Sequence, residues 1–125
     1  MIIIDPIRRF LIDGDVCEMQ SVMLVQVVAA NQSVVAAVTG KRIRVFYQKL
    51  VANAAGTNPA VTLLSGSGGT VLYANTIPAL TVGCDELPYD DSGHFETATS
   101  TGLFTTVATA TANIFIKYIT YTPRS

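Results

Sequence analysis

The sequence predicts an all-β fold, an antiparallel β-sandwich of jelly-roll type with about 8 strands and an extended N-terminal arm. Three observations carry that expectation. Short runs rich in Val, Ile, Thr, Tyr and Phe alternate with Gly, Pro, Asn and Ser, which is the composition of strands and turns. Apolar residues spaced at i, i+3, i+4 and i+7 are hard to find, so helices, and with them the crossovers of a parallel sheet, are not expected. Finally, 125 residues with 50% hydrophobic but only 14% charged side chains are enough for one core and too few for two. Typical soluble domains carry roughly 25% charge, so the surface is made up by Thr, Ser, Asn and Ala or, as the favoured reading, covered by other subunits.

Taken in order, residues 1–15 read as the arm and 16–125 as the single sandwich domain. Pro6 argues against a central strand, which leaves the arm at a sheet edge or on a partner. Val16 to Val28 reads as one long strand or two joined at a bend, followed by a turn at Asn31-Gln32-Ser33 and a strand from Val34 to Val38. In Ile43 to Val51 the alternation puts Ile43, Val45 and Tyr47 on one face and Arg44, Phe46 and Gln48 on the other. Gly56-Thr57-Asn58-Pro59 turns the chain into Ala60–Leu64, and the Gly-rich run Ser65–Gly69 joins it to Thr70–Ile77 as a hairpin. A short strand at Ala79–Val82, an irregular acidic segment from Gly83 to Gly93 and a strand beginning at Gly93-His94-Phe95-Glu96-Thr97 follow. Leu103–Ala108 and Ala112–Tyr121 are the two closing strands.

Charge excludes several functions. A net charge of -1 provides no basic footprint, so nucleic acid is not an expected partner. No apolar run approaches the roughly 18 residues of a membrane span, and Met1-Ile2-Ile3-Ile4 lacks the cationic region of a secretory signal, which suggests synthesis in the cytoplasm. In that compartment Cys17 and Cys84 are expected to stay reduced. The charges are also segregated. All nine acidic residues fall in Asp5–Glu18 or Asp85–Glu96, whereas Met19–Cys84 holds only the cations Lys41, Arg42, Arg44 and Lys49. Either the segments meet internally as ion pairs, or they form opposed faces suited to head-to-tail contact.

Candidate chemistry is sparse. Asp85–Glu96 packs Asp85, Glu86, Asp90, Asp91, Glu96 and the single histidine, His94, into one stretch, but neither it nor Asp13-Gly14-Asp15 has the alternating ligand loop of a calcium site. Asp91 and Glu96 satisfy the residue types of an acid/base pair without any spacing that selects them. No Gly-x-Ser-x-Gly elbow accompanies His94, neither cysteine sits in a thiol-enzyme signature, and zinc lacks ligands. Ser65–Gly69 lacks the Lys-Ser/Thr ending of a phosphate loop. Tyr47, Tyr73, Tyr89, Tyr118 and Tyr121 offer a sugar-stacking platform, although tyrosines in strands more often fill a core or an interface. No catalytic residue, metal or cofactor is therefore assigned. For docking, the arm residues Ile2, Ile3, Ile4, Arg8, Arg9 and Phe10 come first, and the basic run Lys41, Arg42 and Arg44 second.

Several stretches resemble a known group. Asn31 into Val34-Val35-Ala36-Ala37-Val38, then Gly40-Lys41-Arg42-Ile43-Arg44-Val45, is similar to many small phage-encoded β proteins, as are Gly93-His94-Phe95-Glu96-Thr97, Gly102-Leu103-Phe104-Thr105-Thr106-Val107 and Ile114-Phe115-Ile116-Lys117-Tyr118. The likeness covers about Asn31 to Tyr121, with His94 where that group often has Trp and with a more acidic Asp85–Asp91. It resembles virion accessory proteins, the jelly-roll capsid decoration (cement) proteins of tailed phages. The resemblance implies a non-enzymatic structural role on the capsid surface of the virion, with the major capsid protein and further copies of the chain, commonly as a homotrimer, as partners. The alternative is a receptor- or carbohydrate-binding jelly-roll module of a phage tail or head fibre, in which Ser65–Gly69 and Asp85–His94 face the ligand.

Overall fold

The computed structural model describes residues 9–12, 15–53, 58–77 and 84–123, of which 9–12, 15–16 and 25–30 are described by backbone alone. Nine strands form among the described residues: β1 (Arg9–Ile12), β2 (Asp15–Glu18), β3 (Gln20–Val35), β4 (Arg42–Ala52), β5 (Ala60–Ser65), β6 (Thr70–Thr76), β7 (Cys84–Leu87), β8 (Phe95–Glu96) and β9 (Leu103–Tyr121). Every pairing is antiparallel. Among these residues no helix is long and apolar enough to cross a membrane. Ile2, Ile3, Ile4 and Arg8 of the arm, and the strand expected at Ala79–Val82, lie outside the described residues.

Strand β9 organises the architecture. Along one edge it pairs with β3 over nearly its whole length, from Gln20↔Tyr118 to Val35↔Leu103. Along the other edge its first half pairs with β5 and its second half with β4. The hairpin partner β6 extends the sheet beyond β5, while β7 and β8 extend it beyond β4. Side chains from both halves share one core: Ile43, Val45 and Leu50 of β4, Val61 and Leu63 of β5, and Leu103, Val107, Ile114 and Ile116 of β9. Burying both ends of one ribbon in a single core requires the ribbon to curl onto itself, because an open sheet would leave that face in water. The curl closes where Tyr73 of β6 stacks on Phe95 of β8, with ring centroids 6.2 Å apart. The fold is thus an antiparallel β-sandwich of jelly-roll type.

Four local expectations are corrected. Val16–Val28 and Val34–Val38 do not bracket a turn, because Asn31 and its neighbours lie within β3 and shift its register between Ala29 and Gln32. Asn31 holds a φ of 55°, which its short polar side chain tolerates, and the strand resumes beyond it. The two closing strands are one, bent near Thr109, whose φ is 77°. There the buried phase moves from Leu103, Thr105 and Val107 to Ala112, Ile114 and Ile116. In β4 the alternation is interrupted: Val45 opposes Tyr118 and Tyr47 opposes Lys117, so Phe46 is the extra residue of a bulge. The bulge returns Gln48 and Leu50 to the core and turns Tyr47 outward, the reverse of the simple alternation. Finally, part of the segment read as irregular, Cys84–Leu87, is the edge strand β7.

Beneath the far end of β9 a second, smaller cluster forms from Cys17, Phe46, Ile119 and Tyr121, with Met19 and Tyr89 packed against it. It seats the β1–β2 hairpin, a two-stranded sheet of its own that spans the expected arm boundary. An isolated hairpin is marginal in water, and among the described side chains the buried Cys17 joins it to the sandwich.

Candidate functional site

The basic run and the acidic stretch meet on the outer face of β4. Glu96 of β8 lies opposite Arg44 in register, and its carboxylate accepts from Arg42 Nη1 at 3.0 Å, Arg44 Nε at 3.1 Å and the Tyr121 hydroxyl at 2.6 Å. Arg44 also donates from Nη2 to the Tyr121 oxygen at 3.0 Å, and its guanidinium lies 4.7 Å from that ring's centroid. Burial pushes the Glu96 carboxyl up, but the Tyr121 and Arg42 hydrogen bonds and the Arg44 charge outweigh it, so the group sits below its ordinary value. The backbone reinforces the contact. Thr97 exchanges bonds with Ile43, its nitrogen donating at 2.9 Å and its Oγ1 accepting at 3.0 Å, while Ser100 N donates to Lys41 O at 2.8 Å. Gly93 has a φ of +79° and approaches so closely that a Cβ there would lie 2.7 Å from Arg44 Cγ and Cδ. Of the two readings of the segregated charge, Arg42, Arg44 and Glu96 realise the internal one.

The other members of the acidic stretch are dispersed. Tyr73 donates its hydroxyl to Asp85 and Tyr47 donates to Glu86. Burial, followed by the Asp85 bond, pushes the Tyr73 phenol up to about 12, and the Glu86 bond is the main cause that raises Tyr47. The Asp90 side chain accepts from Ser92 N at 2.7 Å, closing a turn. His94 Nε2 lies 2.6 Å from Pro88 O, so that nitrogen donates. Among the described residues no three His, Cys, Asp or Glu side chains are grouped as a metal would require. Cys17 is buried and Cys84 exposed, and no disulfide joins them.

The loop at 65–69 is held as a hairpin tip: Gly69 N donates to Gly66 O at 3.1 Å and Gly68 N to Asn31 Oδ1 at 2.9 Å. The tyrosines form no common platform. Tyr89 stacks on Phe46, Tyr73 on Phe95, and the Tyr118 hydroxyl donates to Gln20 Oε1 at 3.2 Å. Of the docking residues, Arg9 and Phe10 stand in register with Glu18 and Cys17 on the β1–β2 hairpin. Lys41 is half-buried at a turn.

What the sequence alone did not bring out is a groove of about 390 Å³ on the outer face of β3, β4 and β9. Met23, Val51 and Phe115 supply apolar lining, with Tyr47, Lys49 and Asn113 around them. Tyr47 meets Phe115 edge-on with centroids 5.9 Å apart, and Lys117 Nζ lies 5.8 Å and 6.0 Å from the two ring centroids. Met23 is 62% exposed, a high value for a large apolar side chain. Every one of these positions faces outward because of the Phe46 bulge and the β3–β9 register.

No protein-family model and no curated protein matches the sequence. Among solved structures, the chain is similar to a subunit of the Bacillus endospore appendages, described as disulfide-linked pili, at 18% identity and a TM-score of 0.44 over 86% of this chain and 89% of that one. It is also similar to a carbohydrate-binding module of Cellvibrio mixtus lichenase 5A, at 13% identity and a TM-score of 0.42 over 86% and 88%. A third similar structure is the virus-like particle of the extra small virus of the prawn Macrobrachium rosenbergii, at 10% identity and a TM-score of 0.38 over 97% and 88%. The similar solved structures thus include pilus, carbohydrate-binding and capsid proteins.

Proposed function

We propose that the chain is a structural virion protein, a non-enzymatic capsid decoration (cement) protein that binds and stabilises the outer surface of a tailed-phage head as a homo-oligomer, most simply a trimer. The observation that carries this reading is the division of the polar groups. Glu96, Arg42, Arg44, Asp85 and His94 are engaged within the fold, while an apolar groove lined by Lys49, with Lys117 beside its Tyr47 and Phe115 rings, stays open on the sheet's outer face. A surface so arranged suits many weak contacts repeated by symmetry, and an oligomer engaging several capsid subunits gains avidity beyond any one contact. The sequence likeness to phage decoration proteins over Asn31–Tyr121 supports the same reading.

Docking through the arm is tested by co-sedimentation with DNA-free heads of the encoding phage. The wild-type chain is expected to pellet with heads, and replacement of both Arg8 and Arg9 by Glu to abolish pelleting while leaving the circular dichroism spectrum unchanged. A wild-type chain that stays in the supernatant refutes the decoration role, and a double variant that pellets like wild type refutes the arm as its anchor.

A further inference from the structure

The groove and the sheet edge beside it carry opposite charges. Lys49 is exposed, Lys117 is half-buried beside the Tyr47 and Phe115 rings, and among the described residues neither is ion-paired. One strand away the path of paired strands ends at β7, which among the described residues pairs only with β4. The turn that follows it presents Pro88, Asp90 and Asp91, all exposed, and among the described residues no cation pairs with either aspartate. Asp90 N donates to Phe46 O at 3.1 Å, which fixes this turn against the bulge of β4. A sheet face with an apolar floor and two ammonium groups, with Glu86 opposite Lys49 in register and bonded to Tyr47 at its rim, therefore adjoins a turn that displays a proline and two carboxylates. Unpaired opposite charges at the rim of an exposed apolar patch are the arrangement that steers and registers a protein contact.

We propose that the groove receives the turn at 88–91 of a second copy, with Pro88 against Met23, Val51 and Phe115 and the Asp90 and Asp91 carboxylates directed at Lys49 and Lys117. Each copy then contributes its face to one neighbour and its edge to another. Such a contact is heterologous and forms a ring when the rotation between copies closes; the trimer is the smallest ring of that kind. The inference rests on the proposed homo-oligomer and names the surfaces that build it. It also accords with a charged content of only 14%, since an exposed apolar groove is covered in the assembly.

Sedimentation velocity over a dilution series of the full chain tests the contact, using charge reversals at the exposed positions Lys49 and Asp91. Lys49→Glu alone and Asp91→Lys alone are each expected to weaken association by about tenfold or more, because each places like charges together. The chain carrying both reversals restores the pair with its sign inverted and should associate to within about threefold of wild type. Circular dichroism confirms that each variant is folded. Single reversals that leave a wild-type oligomer unchanged overturn the contact while the homo-oligomer stands, as does a combined variant that fails to recover. A wild-type chain that sediments as a monomer throughout overturns the homo-oligomer and the contact together.

Discussion

Replacing Gln48 by methionine should stabilise the protein, although it removes a polar side chain from the centre of a strand. Gln48 is fully buried, and neither its Nε2 nor its Oε1 has a hydrogen-bond partner among the described residues. It lies opposite Ile116 of β9 and Leu87 of β7, on the face that carries Leu50 and Ile114 into the core. Each unsatisfied buried polar group costs about 1–3 kcal/mol and Gln48 carries two, whereas methionine keeps the unbranched shape while presenting only apolar and thioether atoms. Allowing part of the gain to be lost to imperfect packing, the variant should be more stable by about 1–3 kcal/mol. For a domain of this size that corresponds to roughly 3–12 °C in the thermal midpoint. Calorimetry or circular dichroism melts of wild type and Gln48→Met measure it directly. A midpoint that stays the same or falls refutes the reasoning, since it would mean that the amide makes hydrogen bonds that methionine cannot.

Two further outcomes are expected. Because the Glu96 carboxyl is held below its ordinary value, its contribution is present above the unfolded-state pKa and is lost as pH falls through the folded one. Glu96→Gln should therefore lower stability by about 1–3 kcal/mol at pH 7 and flatten the loss that wild type shows below about pH 4.5, as urea titrations across that range would reveal. For the thiols, an alkylating reagent should label Cys84 alone in the native protein and both cysteines in denaturant. Mass spectrometry that finds Cys17 labelled under native conditions contradicts the seating of the β1–β2 hairpin on the sandwich.

The β class was legible because burial of Val, Ile, Tyr and Phe on a pleated surface leaves its mark in every short run. Strand boundaries were less so, for identifiable reasons. Thr109 at a φ of 77° is an unfavourable threonine conformation that no local rule anticipates; the pairing of both flanks of β9 with β3 holds it in place. Asn31 carries a turn signature, yet the same tolerance of positive φ serves an irregularity inside β3. The Phe46 bulge leaves no trace in the alternation, because Phe46 is apolar and its outward placement against Tyr89 still buries it.

Charge segregation could be read directly, but the pairing of Arg42 and Arg44 with Glu96 spans more than fifty residues of chain and depends on which strand lies beside β4. The groove was hidden for the same reason. Met23, Val51 and Phe115 come from three strands, and only the register of β3 and β4 on β9 brings them to one face. A period-two count restarted after Phe46 would have put Tyr47, Lys49 and Val51 together, and that is the one signal in the sequence that leads toward the site.

The proposed role requires this β-sandwich to assemble with copies of itself. Light scattering coupled to size-exclusion chromatography, run over a wide range of concentrations, tests it most directly. A stable mass of about three 13.3 kDa protomers is expected; a single 13.3 kDa species at every concentration rules out self-assembly.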